Sequence, residues 1–299
     1  MANTRDIRRR IKSVKSTAQI TKAMELVASS KMKKAQDQAL AGRRYAEELN
    51  KMLMHLAQDE GELDSSPLMN VREVNRELFI VISTDKGLCG GLNTNLMRLV
   101  MEEESEITSF VTIGNKGKGT LARSKKDLLA DFAISDPVIF KEVKAVTNFV
   151  IRKFESGEVD RVKVAFTNFI NTISQKPWIK TLLPVDPTSI TEKKEYEGMS
   201  EGDDLSDVYD QIPDSGYIFE PNAEKVFAMI LPHYLNYQLY QMVLEARASE
   251  HSARMVAMKS ATDNAKEMID DLTLLYNKVR QAAITSELLE ITTAQMALE

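Results

Sequence analysis

The sequence predicts an α/β protein whose N- and C-terminal helices pair as a long antiparallel coiled coil beside a central α/β domain. An apolar ladder with 3,4 spacing runs along each end of the chain, and short β-rich runs alternate with helical runs between them. Sustained 3.5-residue periodicity specifies helices that bury a narrow seam against each other. We therefore expect an N-terminal helix over 1–60, a central domain over 68–220 and a C-terminal helix over 221–299.

The first ladder is interrupted only by Glu25 and Gly42. Its members are Ile7, Ile11, Val14, Ala18, Thr21, Ala28, Met32, Ala35, Ala39, Ala46, Leu49, Leu53 and Leu56. At 1.5 Å per residue, such a helix would be roughly 75 to 80 Å long, which exceeds a single globular core. We therefore expect it to project from the central domain.

The second ladder is longer and is interrupted at Gln241. Its members are Phe227, Ile230, Tyr234, Tyr237, Leu244, Ala248, His251, Met255, Met258, Thr262, Ala265, Ile269, Leu272, Tyr276, Val279 and Ala283. Both helices leave one domain in the same direction, which predicts an antiparallel, left-handed pair. Many seam residues are Ala or Thr and bury little area per turn, so we expect a surrounding partner to add stability. Pro232 predicts a kink or a helix start.

The middle of the chain alternates between strands and helices. We predict strands at 78–83, 109–113 and 161–169, and helices at 92–104, 116–123 and 138–154. This alternation predicts a mostly parallel sheet with crossover helices, that is, a Rossmann-like domain. The acidic stretch 192–214 has few apolar residues and is predicted to be a mobile surface loop.

Charge is distributed unevenly along a chain whose net charge is -5. The first 36 residues hold ten Lys or Arg against two acidic residues. A basic helix can bind nucleic acid, anionic lipid or an acidic protein surface. The basic residues are not interleaved with aromatic ones and no DNA-reading motif follows, so nucleic acid is not an expected partner. No apolar run is long enough for a membrane span, and no apolar core of a secretory signal follows the basic start.

Residues that could carry chemistry are few. Cys89 is the single cysteine, so no internal disulfide can form, and His55, His233 and His251 form no metal-binding array. We expect a small buried thiol at Cys89 and a packed seam residue at His251. The sequence predicts neither a bound metal nor a cofactor.

Two glycine-rich stretches are candidate phosphate-binding loops, because glycines before a helix can expose backbone N–H groups to an anion. They are TDKGLCGGLN at 84–93 and GNKGKG at 114–119. Neither matches the Walker motif or the G-x-G-x-x-G spacing of dinucleotide folds. We interpret the first as a tight structural turn.

Five strings resemble the γ-subunit family of the rotary ATP synthase. They are IRRRIKSVKSTAQITKAMELVASSKMKKAQ at 7–36, STDKGLCGGLN at 83–93, YIFEP at 217–221, ASEHSARMVAMKSATDNA at 248–265 and YNKVRQAAITSELLEI at 276–291. The resemblance implies a central shaft inside a ring of α and β subunits, whose central domain, the foot, stands on the membrane ring of c subunits and binds an ε subunit. Flow of protons or sodium ions would turn this shaft, which would have no catalytic residues of its own.

The resemblance also implies which residues meet the partners. Contacts with the β and α subunits fall on Met24, Lys22, Lys31, Arg254, Arg280, Gln281, Thr285 and Glu287, and contacts with the c ring on Tyr217, Phe219 and Glu220. One departure lies at the tip, where Ala294-Gln295 replaces the family's Gly-Ala pair. The lone cysteine argues against the redox-regulated chloroplast form. The sequence predicts no transit peptide, so a bacterial chain on the cytoplasmic face of the inner membrane is expected.

Two alternative functions are open to the same sequence. A non-rotary coiled-coil scaffold would self-associate and would need no ring partner. A nucleotide-dependent enzyme would use the central domain and would bind a ligand there.

Overall fold

Two long helices enclose, in chain order, an alternating series of strands and shorter helices. A computed structural model describes residues 4–59, 66–185, 220 and 223–296. The helices are α1 (Thr4–Asp59), α2 (Leu92–Glu103), α3 (Asn115–Arg123), α4 (Phe140–Glu155) and α5 (Ala223–Met296), with a short 3-10 helix at Pro67–Met69. The strands are β1 (Glu77–Ile82), β2 (Thr108–Ile113), β3 (Leu128–Phe132), β4 (Arg161–Phe169) and β5 (Gln175–Leu183).

The five strands form one sheet in the order β3-β2-β1-β4-β5. The first four are parallel to one another, while β5 pairs with β4 in the antiparallel sense. Parallel strands need crossover connections, which α2, α3 and α4 supply. Every residue of the central strand β1 is buried, because helices cover both faces of the sheet. This architecture confirms the predicted α/β class.

The sequence missed β3 and β5. Strand β3 is short and alternates between half-buried and exposed residues, and it includes Asp131. Strand β5 contains Pro177 and two lysines, Lys176 and Lys180. Proline lacks a donor for the ladder and is tolerated at a sheet edge, where β5 lies. The predicted strands β1, β2 and β4 are present, and α4 begins at Phe140 instead of 138.

The core lies on both faces of the sheet. On one face, Ile80 of β1 packs in a cluster with Val146 of α4 and Leu239 of α5. On the other, Phe79 packs with Leu96 of α2. Burying each such side chain contributes roughly 1.5–3 kcal/mol, so the sheet holds its flanking helices mainly by apolar burial.

The chain divides into two units. The first, here called the sheet unit, is Ser30–Ala253, and the second, the helical pair, combines Met1–Ser29 with Arg254–Glu299. Within the sheet unit, nearly every residue of α5 between 231 and 252 is buried. The predicted single seam is therefore wrong for this segment, because α5 packs against strands as well as against α1.

The helical pair is antiparallel. Arg8 of α1 donates to the Tyr276 hydroxyl of α5, and Thr21 lies 2.7 Å from Thr262, so residue numbers rise along one helix and fall along the other. Among the described residues of this unit, the buried ones all fall on the predicted ladders: Ile7, Thr21, Ala28, Met258, Thr262 and Ala265. Helix α5 begins at Ala223 and passes through Pro232, so a helix start at the proline is wrong.

Candidate functional site

The α1 segment around Met24 carries exposed apolar side chains. Met24 itself is half-buried, whereas Ile20, Leu26 and Val27 are largely exposed. Ile20, Met24 and Val27 follow i, i+4, i+7 spacing and so share one helical face. Lys22 is exposed and lies 2.9 Å from Glu25 in a surface ion pair. Lys22 is two residues from both Ile20 and Met24 and therefore lies on another side of the helix, so this segment offers an apolar face and a separate positive charge.

The C-terminal end of α5 is exposed on every side in this chain. All described residues from 280 to 296 are exposed, including the predicted contacts Arg280, Gln281, Thr285 and Glu287. Ile284, Leu288 and Ile291 are 48%, 58% and 60% exposed and fall on one helical stripe. A contiguous apolar stripe of this kind marks an interaction surface.

Two further predicted contact residues are less available. The Lys31 ammonium lies 2.7 Å from the Asp136 carboxylate, so it already has an ion-pair partner within the sheet unit. Arg254, in the helical pair, is half-buried. Less of each of these two side chains is therefore available to a partner than at the exposed positions of α1 and α5.

The predicted c-ring contacts are only partly described. Glu220 is exposed, while Tyr217 and Phe219 lie outside the described residues. The stretch 192–214, predicted as a mobile loop, lies outside them as well.

The glycine-rich stretch after β1 is a tight turn, as predicted. Leu88 and Gly90 have φ values of 63° and 60°, in the left-handed region. The Asn93 amide donates to the Thr84 hydroxyl at 2.8 Å and accepts from the Thr84 backbone N–H at 3.2 Å, which closes the turn onto the start of α2. Cys89 is buried within it, as expected for a small packed thiol.

The second glycine-rich stretch has a packing role. Gly114 has a φ of 98°, and a Cβ there would lie 2.3 Å from the Ser83 carbonyl oxygen. The Gly117 N–H donates to the Ser83 hydroxyl at 2.8 Å. Glycine at 114 is thus required by the close approach of β1 to the start of α3.

Sequence reasoning missed a buried cluster of charges in the sheet unit. Arg247 of α5 is 5% exposed. Its guanidinium donates to Glu250 at 2.9 Å, to Asp85 at 3.1 Å and to the Ile134 carbonyl at 2.8 Å. Burial lowers the pKa of Arg247, but the charges of Glu250 and Asp85 outweigh burial and raise it, so the side chain stays charged.

A second ion pair adjoins the first. Asp136 Oδ2 lies 2.7 Å from the Lys31 ammonium and 3.3 Å from His251 Nε2. Burial raises the pKa of Asp136, but the hydrogen bond from Lys31 and the positive charges around it lower it overall. His251 is buried on the seam, as predicted. Arg247 and Glu250 on α5 were the available signal for the first cluster, whereas no local pattern marks Lys31 and Asp136 as partners.

Comparison with known proteins identifies the family. A family model described as ATP synthase matches residues 3–298. The ATP synthase gamma chain of Akkermansia muciniphila is 49% identical over 299 residues and covers all of both chains. That of Opitutus terrae is 50% identical over 297 residues, with 99% of each chain covered. The chain belongs to the ATP synthase gamma chain family.

Solved structures agree with this gamma-chain fold. A chain in the central stalk and c-ring structure of the Tetrahymena thermophila mitochondrial ATP synthase is 25% identical, with a TM-score of 0.59, and covers 81% of this chain and 99% of that one. A chain of the Euglena gracilis mitochondrial ATP synthase is 19% identical, with a TM-score of 0.66, 99% of this chain and 94% of that chain being covered. The second likeness shows the fold alone.

These findings confirm the fold class and the central-shaft role of a gamma chain that is a component of the ATP synthase complex. The scaffold alternative receives no support from them. Among the described residues, no helix combines the length and apolar character needed to cross a bilayer. No group of three or more His, Cys, Asp or Glu in the same part of the chain could hold a metal ion.

Proposed function

We propose that this gamma chain couples ion flow through the membrane c ring to ATP synthesis or hydrolysis at the β subunits of the surrounding ring. The observation that carries the proposal is the exposed apolar surface of the helical pair, at 284, 288 and 291 on α5 and at 20 and 27 on α1. Surfaces of this kind are expected to be covered by a partner. A ring that encloses the helical pair would cover both of them.

The mechanism is a coupling of binding equilibria. An asymmetric shaft that contacts alternative β conformations unequally shifts each β subunit toward the state it contacts best. A tenfold change in nucleotide affinity needs about 1.4 kcal/mol of such differential contact. In this mechanism the gamma chain contributes contacts, and the catalytic groups belong to the ring.

The contacts with β and α subunits are assigned to two surfaces of the helical pair. Met24 and Lys22 lie on different sides of α1, where the apolar face with Met24 suits an apolar surface of the ring and the exposed Lys22 suits an acidic loop. Arg280 and Gln281 are exposed at the end of α5. Thr285, whose hydroxyl donates to the Gln281 carbonyl at 2.9 Å, and Glu287 extend the same surface, with Arg254 of the same helix as a further contact.

The sheet unit is assigned to the membrane side. We place Glu220, which is exposed, with Tyr217 and Phe219 against polar loops of the c ring, and an ε subunit on the same unit. The Lys31 ammonium is paired with Asp136, so we assign only the exposed part of the Lys31 side chain to the contact with the ring. The chain would then be peripheral, on the cytoplasmic face of a bacterial inner membrane, with protons or sodium ions as the coupling ion.

Reconstitution with separately purified α and β subunits tests the proposal. We expect one copy of this chain per ring in native mass spectra and ATP hydrolysis that depends on it. The variant Leu288→Ser with Ile291→Ser should weaken assembly, because it removes the apolar stripe. The control Val71→Ser changes a side chain that is 81% exposed in the sheet unit and should assemble normally. Self-association without ring binding would refute the proposal.

A further inference from the structure

The carboxyl edge of the sheet is held by charged side chains of both long helices. Asp85 follows β1, and the loop that contains Ile134 and Asp136 follows β3. Arg247 of α5 bonds to Asp85 and Ile134, and Lys31 of α1 bonds to Asp136. In open α/β sheets this edge is the usual place for a ligand. Here the side chains of Arg247 and Lys31 lie against this edge of the sheet.

The arginine also reaches a third element of the sheet unit. Asp85 accepts from the Asn115 backbone N–H at 3.2 Å and from the Asn115 side chain at 3.4 Å, at the start of α3. Through Asp85 and the Ile134 carbonyl, Arg247 therefore connects α5 to β1, α3 and the loop after β3. Its Glu250 bond, within α5, fixes the orientation of the guanidinium.

These directional contacts differ from the rest of the α5 interface. Elsewhere α5 packs on the sheet mainly through apolar side chains such as Leu235 and Leu239. The hydrogen bonds from Ser249 to the Thr167 carbonyl, at 3.0 Å, and from Lys180 to Gln238, at 3.3 Å, each join α5 to one strand, whereas Arg247 reaches several elements. Apolar burial is not directional, so it resists separation of two elements better than rotation of one against the other. A planar guanidinium holding several acceptors in a fixed fork fixes direction as well as distance.

We propose that Arg247 locks α5 rotationally to the sheet and is the positioning residue through which torque passes between the sheet unit and the helix. The inference rests on the proposed coupling function, in which rotation of the sheet unit must turn the helices. The ion pair between Lys31 and Asp136 connects α1 to the loop after β3 in the same way.

The variants must separate torsional stiffness from stability. Arg247→Met keeps an apolar side chain of similar length but removes the Arg247 guanidinium from the buried Glu250 carboxylate. Arg247→Met with Glu250→Gln removes that buried charge, so its Tm should return toward the wild-type value. Arg247→Lys keeps a cation and loses the fork. Lys118→Met is the control, since it breaks a 2.9 Å ion pair with Asp131 in the same unit that does not involve α5.

The test uses the assembled complex of this chain with α and β subunits, immobilised through the ring and stalled without ATP turnover. A bead is attached at Glu102→Cys, an exposed position on α2, and Cys89 is buried and therefore unreactive. The thermal variance of the bead angle is inversely proportional to torsional stiffness. We expect Arg247→Met with Glu250→Gln, and also Arg247→Lys, to widen this variance about twofold, with no change for Lys118→Met.

An unchanged variance in both Arg247 variants would overturn the inference. So would equal widening in Lys118→Met, because loss of any ion pair in the unit would then explain it. A wild-type complex that does not form, or whose bead does not turn when ATP is supplied, would instead contradict the shaft function itself.

Discussion

The sheet unit and the helical pair bury different kinds of side chain. In the sheet unit, Leu78, Phe110 and Phe154 are fully buried. In the helical pair the buried seam includes Thr21, Ala28 and Thr262, while large apolar residues elsewhere in that unit are exposed. The difference teaches that the sheet unit carries its own core, whereas the helical pair keeps much of its apolar surface for other subunits.

The largest expected effect lies in the sheet unit. Phe154→Ala should lower the free energy of unfolding by about 3–5 kcal/mol, because it leaves a cavity in a fully packed core. Trp178, the only tryptophan, lies on β5 and reports unfolding of this unit by fluorescence in urea. Val71→Ala, at an exposed position, should change the free energy of unfolding by less than about 0.5 kcal/mol. Equal losses in the two variants would contradict a dense core.

Alkaline pH should weaken the sheet unit next. Burial raises the pKa of Tyr234 to about 12 from its usual 10.0, so above pH 10 the unfolded chain loses a proton that the folded chain keeps. Stability present below pH 10 is therefore lost as pH rises toward 12, by roughly 2 kcal/mol. Urea unfolding at pH 8 and 11, followed at Trp178, should show a smaller loss in Tyr234→Phe than in the wild type. Equal losses of unfolding free energy in the wild type and in Tyr234→Phe would show that the Tyr234 hydroxyl is exposed to water.

The buried threonine pair should have a smaller effect, confined to the helical pair. The hydroxyls of Thr21 and Thr262 lie 2.7 Å apart, so Thr21→Val should cost about 1–2 kcal/mol. Hydrogen exchange of the backbone amides of α1 measures this loss of stability. Thr273→Val is the control, because that exposed hydroxyl donates only to a carbonyl of its own helix, 2.7 Å away on Ile269. The double variant Thr21→Val with Thr262→Val should cost less than the sum of the singles, and strict additivity would exclude a direct bond.

The smallest effect is expected at Lys22. Its exposed ion pair with Glu25 is worth about 0.3–0.5 kcal/mol, so Lys22→Ala should barely change exchange in the helical pair. The same variant should lower ATP hydrolysis by the assembled complex, if Lys22 faces an acidic β loop. Loss of stability with unchanged hydrolysis would assign Lys22 a structural role only.

Sequence patterns predicted the elements whose signal is local. Strand β1 is a continuous apolar run, and the two ladders give the seam residues of the helical pair directly. Strand β5 was missed because Pro177 and its lysines resemble a loop, and its place at the edge depends on pairing with β4. That pairing is a tertiary property.

The charged cluster was beyond sequence reasoning for a related reason. Arg247 and Asp85 are separated by 162 residues, and nothing local marks them as partners. The tip residues, by contrast, were named through their resemblance to the family, and their exposure leaves them available for a partner. Local periodicity thus predicts helices and seams, whereas ion pairs between distant elements require the fold.

Rotation of the sheet unit tests the central claim most directly. A bead is attached at Glu102→Cys in a complex of this chain with immobilised α and β subunits, and its angle is recorded while ATP is supplied. The shaft function predicts continuous rotation in one direction, with a rate that follows ATP hydrolysis. Hydrolysis at full rate beneath a stationary bead would contradict it.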